Sequence, residues 1–503
     1  MRPHFLTAFL RAFFLPVLFL LSSACTALAP RPAPTLPATQ AVPQFNTSTP
    51  VPSLTLAPTL TPTPVAPLAR PSYQINARVD YDRHLVNADE VIVYPNHSPQ
   101  AMDRLVLAAV PNLWVNCFTL ESLTIGDVPV TSFTLDGQRL EIPLSEPLAP
   151  EGIVRISLRF SLVLPLAEQD DPNVSRPRIF GYTRAQLNLT NWYPFVVPFI
   201  NGDWVLHEPW FYGEHLVYEA ADYDVQLSFA DPASPPVVAA SGMAEQAGDS
   251  TRYSLTSGRA FAFSMSRDIK VATQQFGDVT VYSYYFPFNE NGGRAALDTA
   301  GKALQIFGER FGPYPHQSLS VVMGDFNDGM EFSGLFYLSR DFYNLYTNST
   351  DAVNYLIFVA AHETAHQWWF DQVGNDQAAQ PWLDEALCTY SERIFYESAY
   401  PDLVSRWWAY RVDFFQPQGY VDIPIYEGQG FRPYTNAVYF RGAHFLDDLR
   451  GRLGDEIFFA FIRDYLSQEK GRIASSADFF ALLRQHTQAD YSDIVRQYFQ
   501  NLY

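Results

Sequence analysis

The hydrophobic period of this sequence changes once, near residue 276. Residues 72–275 contain short runs of alternating apolar and polar residues, such as "YQINARVDYD" and "GIVRISLRFSLVLP", between turns rich in Asn, Gly and Pro. A period of two indicates half-buried β-strands, so this segment is predicted to form an all-β domain. Residues 276–503 show helical periodicity instead, with one strand at "SLSVVMGD" and a first helix that ends near Gly312. Further helices are predicted at 351–370, 383–398, 436–452, 455–468, 476–486 and 489–500.

The first 71 residues are predicted to lie outside both domains. Within residues 1–25, two arginines precede a short apolar run and "SSAC", a pattern typical of a secretory signal and too short to span a membrane. "SSAC" is similar to a bacterial lipobox, which predicts lipid on Cys25, although Ser22 stands where Leu or Val is expected. Cleavage after the nearby "ALA" is the alternative. Residues 26–71 are rich in Pro, Thr and Ala, which predicts a disordered linker.

These features predict where the protein works and what it does not bind. An exported chain with lipid on Cys25 would be anchored to a membrane in the cell envelope, on its extracytoplasmic side. The formal net charge of -20 argues against nucleic-acid binding, which requires basic patches. Cys117 and Cys388 fall in separate predicted domains, and no disulfide between them is expected.

The segment "AAHETAHQWWF" contains the pattern H-E-x-x-H at residues 362–366. Positions i and i+4 of a helix share one face, so His362 and His366 can present their imidazoles to one metal ion, with Glu363 beside them. Thr350 and Asp351 are a predicted N-cap for this helix. Histidines on a helix are usually ordinary core or surface residues, so the motif requires a third ligand to indicate zinc.

The segment "PWLDEALCTYSE" supplies that ligand. Eighteen residues separate His366 from Glu385, which lies near the start of the next predicted helix. Catalytic zinc is bound by three protein ligands and keeps a fourth position for water. The set His362, His366 and Glu385 therefore predicts a catalytic zinc site.

At this spacing, "HETAHQWW" and "PWLDEAL" resemble the aminopeptidase N family of zinc peptidases. Two further segments carry the resemblance. "DGMEFSGL" is similar to the family's G-x-M-E-N signature at Gly329, Met330 and Glu331, although its flanking Asp and Phe differ. "YTNAVYFRGAHFLDDL" is similar to the context of the family's catalytic tyrosine, with Tyr439 in that position and Arg441 in place of Lys. Together with "NLTNWYPFV" and "ADYDVQLSF" in the β-domain, the resemblance extends over roughly residues 73–503.

The resemblance implies an α+β multidomain fold. A saddle-like, all-β sandwich domain would precede a thermolysin-like, mainly helical zinc-peptidase domain. It also implies one zinc ion per chain, with Glu363 as the general base and Tyr439 as a hydrogen-bond donor to the oxyanion. Glu331, with Gly329 and Met330, would bind the free α-ammonium group of a peptide substrate.

Two further residues are candidates for supporting roles. Glu392 lies seven positions after Glu385 on the same helix face, and we expect it to orient a ligand histidine. Gln186 is a candidate for a second amine-recognition residue, supplied by the β-domain. Trp368 and Trp369 are predicted to be core residues.

The predicted function is zinc-dependent hydrolysis of the N-terminal peptide bond of peptides outside the cytoplasm. A metallo-endopeptidase with an open active site is an alternative, because few residues follow Tyr439, whereas full-length family members carry a long C-terminal helical domain over the site. A non-catalytic envelope binding protein on a peptidase fold is a second alternative, which the intact motif residues disfavour. The sequence does not determine side-chain preference, physiological substrate or oligomeric state.

Overall fold

The computed structural model describes most of the chain beyond the predicted linker. The described residues are 69–167, 179–326, 329–348 and 351–503. The predicted signal, Cys25 and nearly all of the linker lie outside them. Residues 67–503 form one compact unit.

The first half of this unit is built from strands, as the alternating pattern predicts. Their bounds are β1 Ser72–Asp80, β2 Leu85–Pro95, β3 Met102–Ala108, β4 Phe118–Ile125, β5 Val128–Pro129, β6 Thr134–Asp136, β7 Arg139–Leu148, β8 Ile153–Val163, β9 Gly181–Tyr182, β10 Leu187–Leu189, β11 Phe195–Val196, β12 Phe199–Ile200, β13 Asp203–Trp204, β14 Ala221–Phe229, β15 Val237–Ala240, β16 Met243–Ala247, β17 Ser250–Gly258 and β18 Phe263–Ser266.

Three sheets hold most of these strands. The largest has eight strands in the order β16-β17-β14-β1-β2-β8-β4-β5, antiparallel except for the pair β1 and β14. Two four-stranded sheets have the orders β15-β18-β10-β9 and β11-β3-β7-β6. In β1, alternate residues from Tyr73 to Val79 are buried and those between them are exposed. One face of the strand therefore packs on the β-domain core and the other faces solvent, as the period of two requires.

The second half combines one sheet with helices. Its strands are β19 Lys270–Phe276, β20 Val279–Tyr285, β21 Ser318–Gly324, β22 Met330–Phe332, β23 Leu335–Ser339, β24 Gly374–Asn375 and β25 Ile473–Ala474. Its α-helices are α1 Glu290–Arg310, α2 Arg340–Asn348, α3 Tyr355–Ala365, α4 Trp382–Ala399, α5 Val404–Trp407, α6 Phe431–Thr435, α7 Gly442–Leu453, α8 Asp455–Glu469, α9 Ser476–His486 and α10 Ser492–Tyr498. The five-stranded sheet has the order β19-β20-β21-β23-β22, with β22 at its edge. The predicted division at residue 275 falls inside β19, and the division into two domains remains a prediction.

The helix that carries the H-E-x-x-H pattern is shorter than predicted. It begins at Tyr355, and the Asn354 side chain caps it by accepting a hydrogen bond from the Leu356 backbone N–H. The predicted N-cap at residues 350–351 is wrong. Asp351 instead accepts from the backbone N–H of Val353, which closes a separate turn before the helix. Asp and Asn both favour caps and turns, so sequence alone did not distinguish the two positions.

Other helical features also differ from the prediction. Helices α2, α5 and α6 were not predicted, and the helix predicted at 436–452 begins with a π-helical segment at 436–441 before α7. The π-helical segment contains Tyr439, and such insertions are frequent at functional sites.

Helix α3 lies at the centre of the second half. Residues 356–365 are all buried, which is typical of a helix surrounded by other elements. Helices α1 and α4 pack against it, and the chain that follows contributes the fully buried Trp368 and Trp369 to the core, as predicted. The Cys117 and Cys388 thiols are both buried and free. Among the described residues, we find no helix with the length and apolarity needed to cross a membrane.

Arg259 joins the β-domain to the segment that follows α3. Its buried guanidinium donates hydrogen bonds to the carbonyl oxygens of Tyr218 at 2.8 Å, Asp371 at 3.0 Å and Arg472 at 2.7 Å. Burial lowers the Arg259 pKa to about 10, so the group stays charged at neutral pH. The backbone after the H-E-x-x-H helix is thereby fixed to the other half of the molecule.

Candidate active site

His362 of α3 and His366, the C-cap residue of that helix, lie together in a buried position. His362 is 4% exposed and His366 is 1% exposed, and their ring centroids are 4.9 Å apart. The His362 Nδ1 atom lies 3.0 Å from Glu392 Oε1, and His366 Nδ1 lies 3.2 Å from the carbonyl oxygen of Trp369. Because both neighbours are acceptors, each Nδ1 carries the proton and each Nε2 presents a lone pair.

Glu385, in the first turn of α4, completes the arrangement. Its Oε2 atom lies 3.1 Å from His362 Nε2 and 3.7 Å from His366 Nε2. Three potential ligand atoms thus converge, and a bound cation would satisfy all three together. The nitrogen and oxygen ligands of tetrahedral zinc are separated by about 3.4 Å, given bond lengths near 2.1 Å. The observed separations bracket this value, and the residues fit zinc.

Glu363 also lies in this cluster but is placed differently. Its carboxylate offers an atom within 4.8 Å of atoms of both histidines. Its Oε1 packs on the backbone of Gly329, where a Cβ atom would approach it to 2.2 Å. Only glycine fits there without displacing Glu363. Glu385 Oε2 contacts both imidazole Nε2 atoms, which supports Glu385 as the third ligand, with Glu363 beside the metal position.

Glu392 is held as a buried carboxylate next to His362. Arg411 donates to both its oxygens, with Nη2 at 2.8 Å from Oε1 and Nε at 2.9 Å from Oε2, and Trp407 Nε1 donates at 3.0 Å. Burial acts to raise the Glu392 pKa, but the Arg411 charge and the hydrogen bonds from His362 and Arg411 hold it below its ordinary value. The predicted contact between Glu392 and a ligand histidine is therefore present.

Tyr439 projects from the π-helical segment over the metal ligands. Its hydroxyl donates a 2.5 Å hydrogen bond to Glu385 Oε1, the oxygen that does not face the histidines. Its ring is parallel to the His362 imidazole, with centroids 6.0 Å apart. The buried Tyr434 supports it from beneath, with ring centroids 5.8 Å apart.

Glu331 lies on the edge strand β22, on the other side of the metal ligands. Gln377 Nε2 donates to Glu331 Oε1 at 3.0 Å and to Asp384 Oδ2 at 3.0 Å. Burial, followed by the charges of Glu385, Glu214 and Glu331, raises the Asp384 pKa well above its ordinary value. This end of the site therefore concentrates carboxyl groups, which suits a positively charged ligand group.

Two connected cavities open on these residues. The catalytic cavity, of about 270 Å³, is lined by all three predicted metal ligands, Glu363 and Tyr439. A larger cavity, of about 460 Å³, lies between the β-domain and β22; its walls are mainly apolar and include Leu113, Trp114, Phe180, Leu216 and Met330. Gly213, Glu214 and Glu331 line both cavities. A ligand group bound at Glu331 thus reaches the apolar cavity directly.

Gln186 does not reach either cavity, and its predicted role in amine recognition is not supported. Its Nε2 donates to Ser264 Oγ at 2.8 Å and to the Met323 carbonyl at 3.1 Å, and its Oε1 accepts from the Asp325 N–H at 3.0 Å. The amide is 1% exposed and holds the end of β21 against the β-domain. The sequence around Gln186 did not indicate that its side chain would be used for hydrogen bonds within the protein.

Several residues of the site were not identified from the sequence. Glu214 comes from the long loop after β13, Arg411 from a π-helical turn at 408–412 after α5, and Arg432 from α6. None lies in a recognisable motif, and loop segments reach a site only through the tertiary fold. The segment "PWFYGEH" around Glu214 contains aromatic residues and a glycine. It was the one local sequence feature that could have indicated a loop at the site.

Comparisons with known proteins agree with this geometry. Residues 295–498 match the model of the Peptidase family M1 domain. The chain is 27% identical over 231 residues to Aminopeptidase M1-D of Oryza sativa subsp. japonica, a match that covers 43% of this chain and 26% of that protein. It is 28% identical over 233 residues to the mitochondrial Aminopeptidase 2 of Saccharomyces cerevisiae, covering 43% and 24% respectively. The aligned part of this chain thus spans about a quarter of these relatives.

The fold is shared with a solved structure. The M1 zinc metallopeptidase from Deinococcus radiodurans superposes with a TM-score of 0.63 at 19% sequence identity, over 85% of this chain and 93% of that one. The α+β order predicted from the sequence, a β-domain followed by a mainly helical domain, is confirmed. The cluster of His362, Glu363 and His366 could hold a metal ion, and the similarity to M1 zinc metallopeptidases indicates that this metal is zinc.

Proposed function

Residues 295–498 of this chain belong to peptidase family M1, and on that premise we propose that the protein is a zinc-dependent aminopeptidase. The observation that carries the proposal is the order of groups along the catalytic cavity. Glu331 and Glu214 lie where the catalytic cavity meets the apolar cavity, whereas the predicted zinc ligands, Glu363 and Tyr439 line the catalytic cavity alone. This order matches a peptide whose free ammonium group lies just before the bond to be cut.

Zinc, when bound by His362, His366 and Glu385, supplies Lewis acidity, which activates water near neutral pH and polarises the scissile carbonyl. Glu363 accepts the proton of the attacking water and delivers it to the leaving amine. The Tyr439 hydroxyl, which already points at the ligand cluster, donates to the oxyanion of the tetrahedral intermediate. Glu392 keeps the proton on His362 Nδ1, so that Nε2 remains available.

Glu331 provides the restriction to the first peptide bond. A carboxylate that pairs with the α-ammonium group makes a charge-assisted hydrogen bond and fixes the register of the substrate. Gln377 holds Glu331 in place from behind. The side chain of the first residue then enters the apolar cavity, which favours bulky apolar residues.

We also propose that the protein acts outside the cytoplasm, anchored through lipid on Cys25. The support is the apolar signal-like segment and "SSAC", both from the sequence. Cell fractionation tests this: a Cys25→Ala variant should move from the membrane to the soluble fraction. A variant that stays with the membrane would contradict a lipid anchor on Cys25.

Zinc content and turnover test the enzymatic proposal together. Purified protein should contain about one zinc per chain and hydrolyse aminoacyl-anilides, and a chelator should abolish that hydrolysis. His366→Ala should lose both the metal and the activity. A full metal load in His366→Ala would refute the ligand assignment. Cleavage of internal bonds in N-blocked peptides, without hydrolysis of aminoacyl-anilides, would indicate an endopeptidase instead.

A further inference from the structure

One positively charged side chain in the catalytic cavity has no role in the chemistry described above. The Arg432 guanidinium lies over the Phe415 ring, 4.1 Å from its centroid, at the start of α6. In the part of the chain that the structure describes, no carboxylate pairs with it. The cavity's other arginine, Arg411, is neutralised by Glu392. Arg432 is therefore the excess positive charge on this wall among the described residues.

The charges of the cavity are separated along its length. Glu214 and Glu331 line the boundary with the apolar cavity, whereas neither Arg411 nor Arg432 lines that boundary. Arg432 lies over the Phe415 ring and Arg411 lies 5.4 Å from the centroid of the Phe440 ring. These two rings are stacked with centroids 5.3 Å apart, so the two guanidinium groups share one region. One end of the catalytic cavity thus attracts cations and the other attracts anions.

The distance between Arg432 and Tyr439 along the helix indicates how long a peptide must be to reach from the scissile bond to Arg432. Arg432 and Tyr439 lie seven positions apart on the continuous helical segment formed by α6 and the π-helix. Their Cα atoms are therefore on the order of 10 Å apart. An extended peptide advances about 3.4 Å per residue, so a group near Arg432 lies within about three residues of the bond at Tyr439.

We propose that Arg432 binds the C-terminal carboxylate of short peptides, so that the preferred substrates are zwitterions of two to four residues. This inference rests on the proposed aminopeptidase function. The ammonium group pairs with the carboxylates at one end, and the terminal carboxylate pairs with Arg432 at the other. Stacking on Phe415 orients the planar guanidinium for a bidentate contact with a carboxylate.

Paired substrates test the role of Arg432. Leucyl-glycyl-glycine and its C-terminal amide differ only in the terminal charge, and their kcat/KM values are compared for one enzyme preparation. For wild-type protein we expect the free acid to be preferred by up to about fivefold, since Arg432 is exposed to solvent and the ion pair is only modestly stabilising. The preference should decline as salt is raised, because salt screens a partly exposed ion pair.

Three variants assign the preference to one residue. Arg432→Gln should bring the ratio of acid to amide close to one, and Arg432→Lys should retain part of the preference through its charge. Arg463→Gln, a matched change on α8 away from the cavity, should keep the wild-type ratio. A wild-type ratio near one, or an unchanged ratio in Arg432→Gln, would overturn the inference while leaving the aminopeptidase proposal intact. Failure of the wild type to cleave either peptide at its first bond would contradict the proposed function itself.

Discussion

The Glu392 carboxylate lies 3.0 Å from His362 Nδ1 and simultaneously accepts two hydrogen bonds from Arg411. This contact favours the proton on Nδ1 of His362, a predicted zinc ligand, and connects that residue to a buried ion pair. Because Glu392 and Glu385 share α4, a single rigid helix supplies both a ligand and the group that orients another ligand. The site is thus built from two packed helices, α3 and α4.

Replacing Glu392 by Gln should weaken zinc binding by about 10- to 100-fold. The amide lacks the charge that pairs with Arg411 and that favours the proton on His362 Nδ1. Competition with a zinc-binding dye measures the affinity. Glu397→Gln is the matched control, since Glu397 lies on the same helix and pairs with Arg450 but contacts neither histidine. Equal zinc affinity in the two variants would contradict the role of Glu392.

Glu363→Gln should keep its zinc and its fold but lower kcat by about 100- to 10,000-fold, because an amide cannot accept the proton of the attacking water. Tyr439→Phe should lower kcat by about 100-fold with a smaller change in KM, since the hydroxyl acts on the oxyanion. Steady-state kinetics with metal analysis separates these effects from loss of zinc. Near-normal kcat in Glu363→Gln would exclude Glu363 as the base.

The apolar cavity should determine the preference for the first residue. Leu113 lines it and is 39% exposed, so Leu113→Asp adds a charge without burying it fully. We expect the kcat/KM ratio of phenylalanyl- to alanyl-anilide to fall by about fivefold. Val115→Asp, two residues away and 91% exposed, should leave the ratio unchanged. An identical ratio in both variants would show that the side chain does not enter this cavity.

Stability should depend on pH through Glu219, a half-buried acid of the β-domain. Burial raises its pKa from 4.5 to about 7, against the opposing effects of a hydrogen bond from Tyr94 and the Arg259 charge. The folded state therefore retains a proton that the unfolded state releases. The stabilisation is full below pH 4.5 and is lost as pH rises to about 7, a change of about 3 kcal/mol.

Urea unfolding in the presence of a chelator, at pH 4.5 and pH 8, measures this loss. The Glu219→Gln variant should lack this pH-dependent loss of stability. The difference in free energy of unfolding between the wild type and this variant should therefore change with pH. For Glu245→Gln, an exposed change on β16, the difference should not depend on pH. A pH-independent difference for Glu219→Gln would contradict the raised pKa.

Local periodicity and motif spacing predicted that the candidate metal ligands would lie together. The i and i+4 positions of a helix bring His362 and His366 together whatever surrounds them, and the position of Glu392 followed from the same geometry on α4. Gln186, by contrast, was misplaced because its hydrogen bonds depend on how the β-domain meets β21. Arg432 could not be identified, since only packing against Phe415 places it in the cavity. The roles assigned to individual residues remain predictions.

The most direct measurement of the central claim compares a peptide that has a free amino terminus with its N-acetylated form, with the first product identified by mass spectrometry. Zinc-loaded protein should release the first amino acid from the free peptide. The acetylated form should be cleaved at least about tenfold more slowly, because it forfeits the charge-assisted contact with Glu331. Glu331→Ala should erase most of that difference by slowing cleavage of the free peptide. Hydrolysis of the acetylated peptide at internal bonds, as fast as the free peptide loses its first residue, would contradict the assignment as an aminopeptidase.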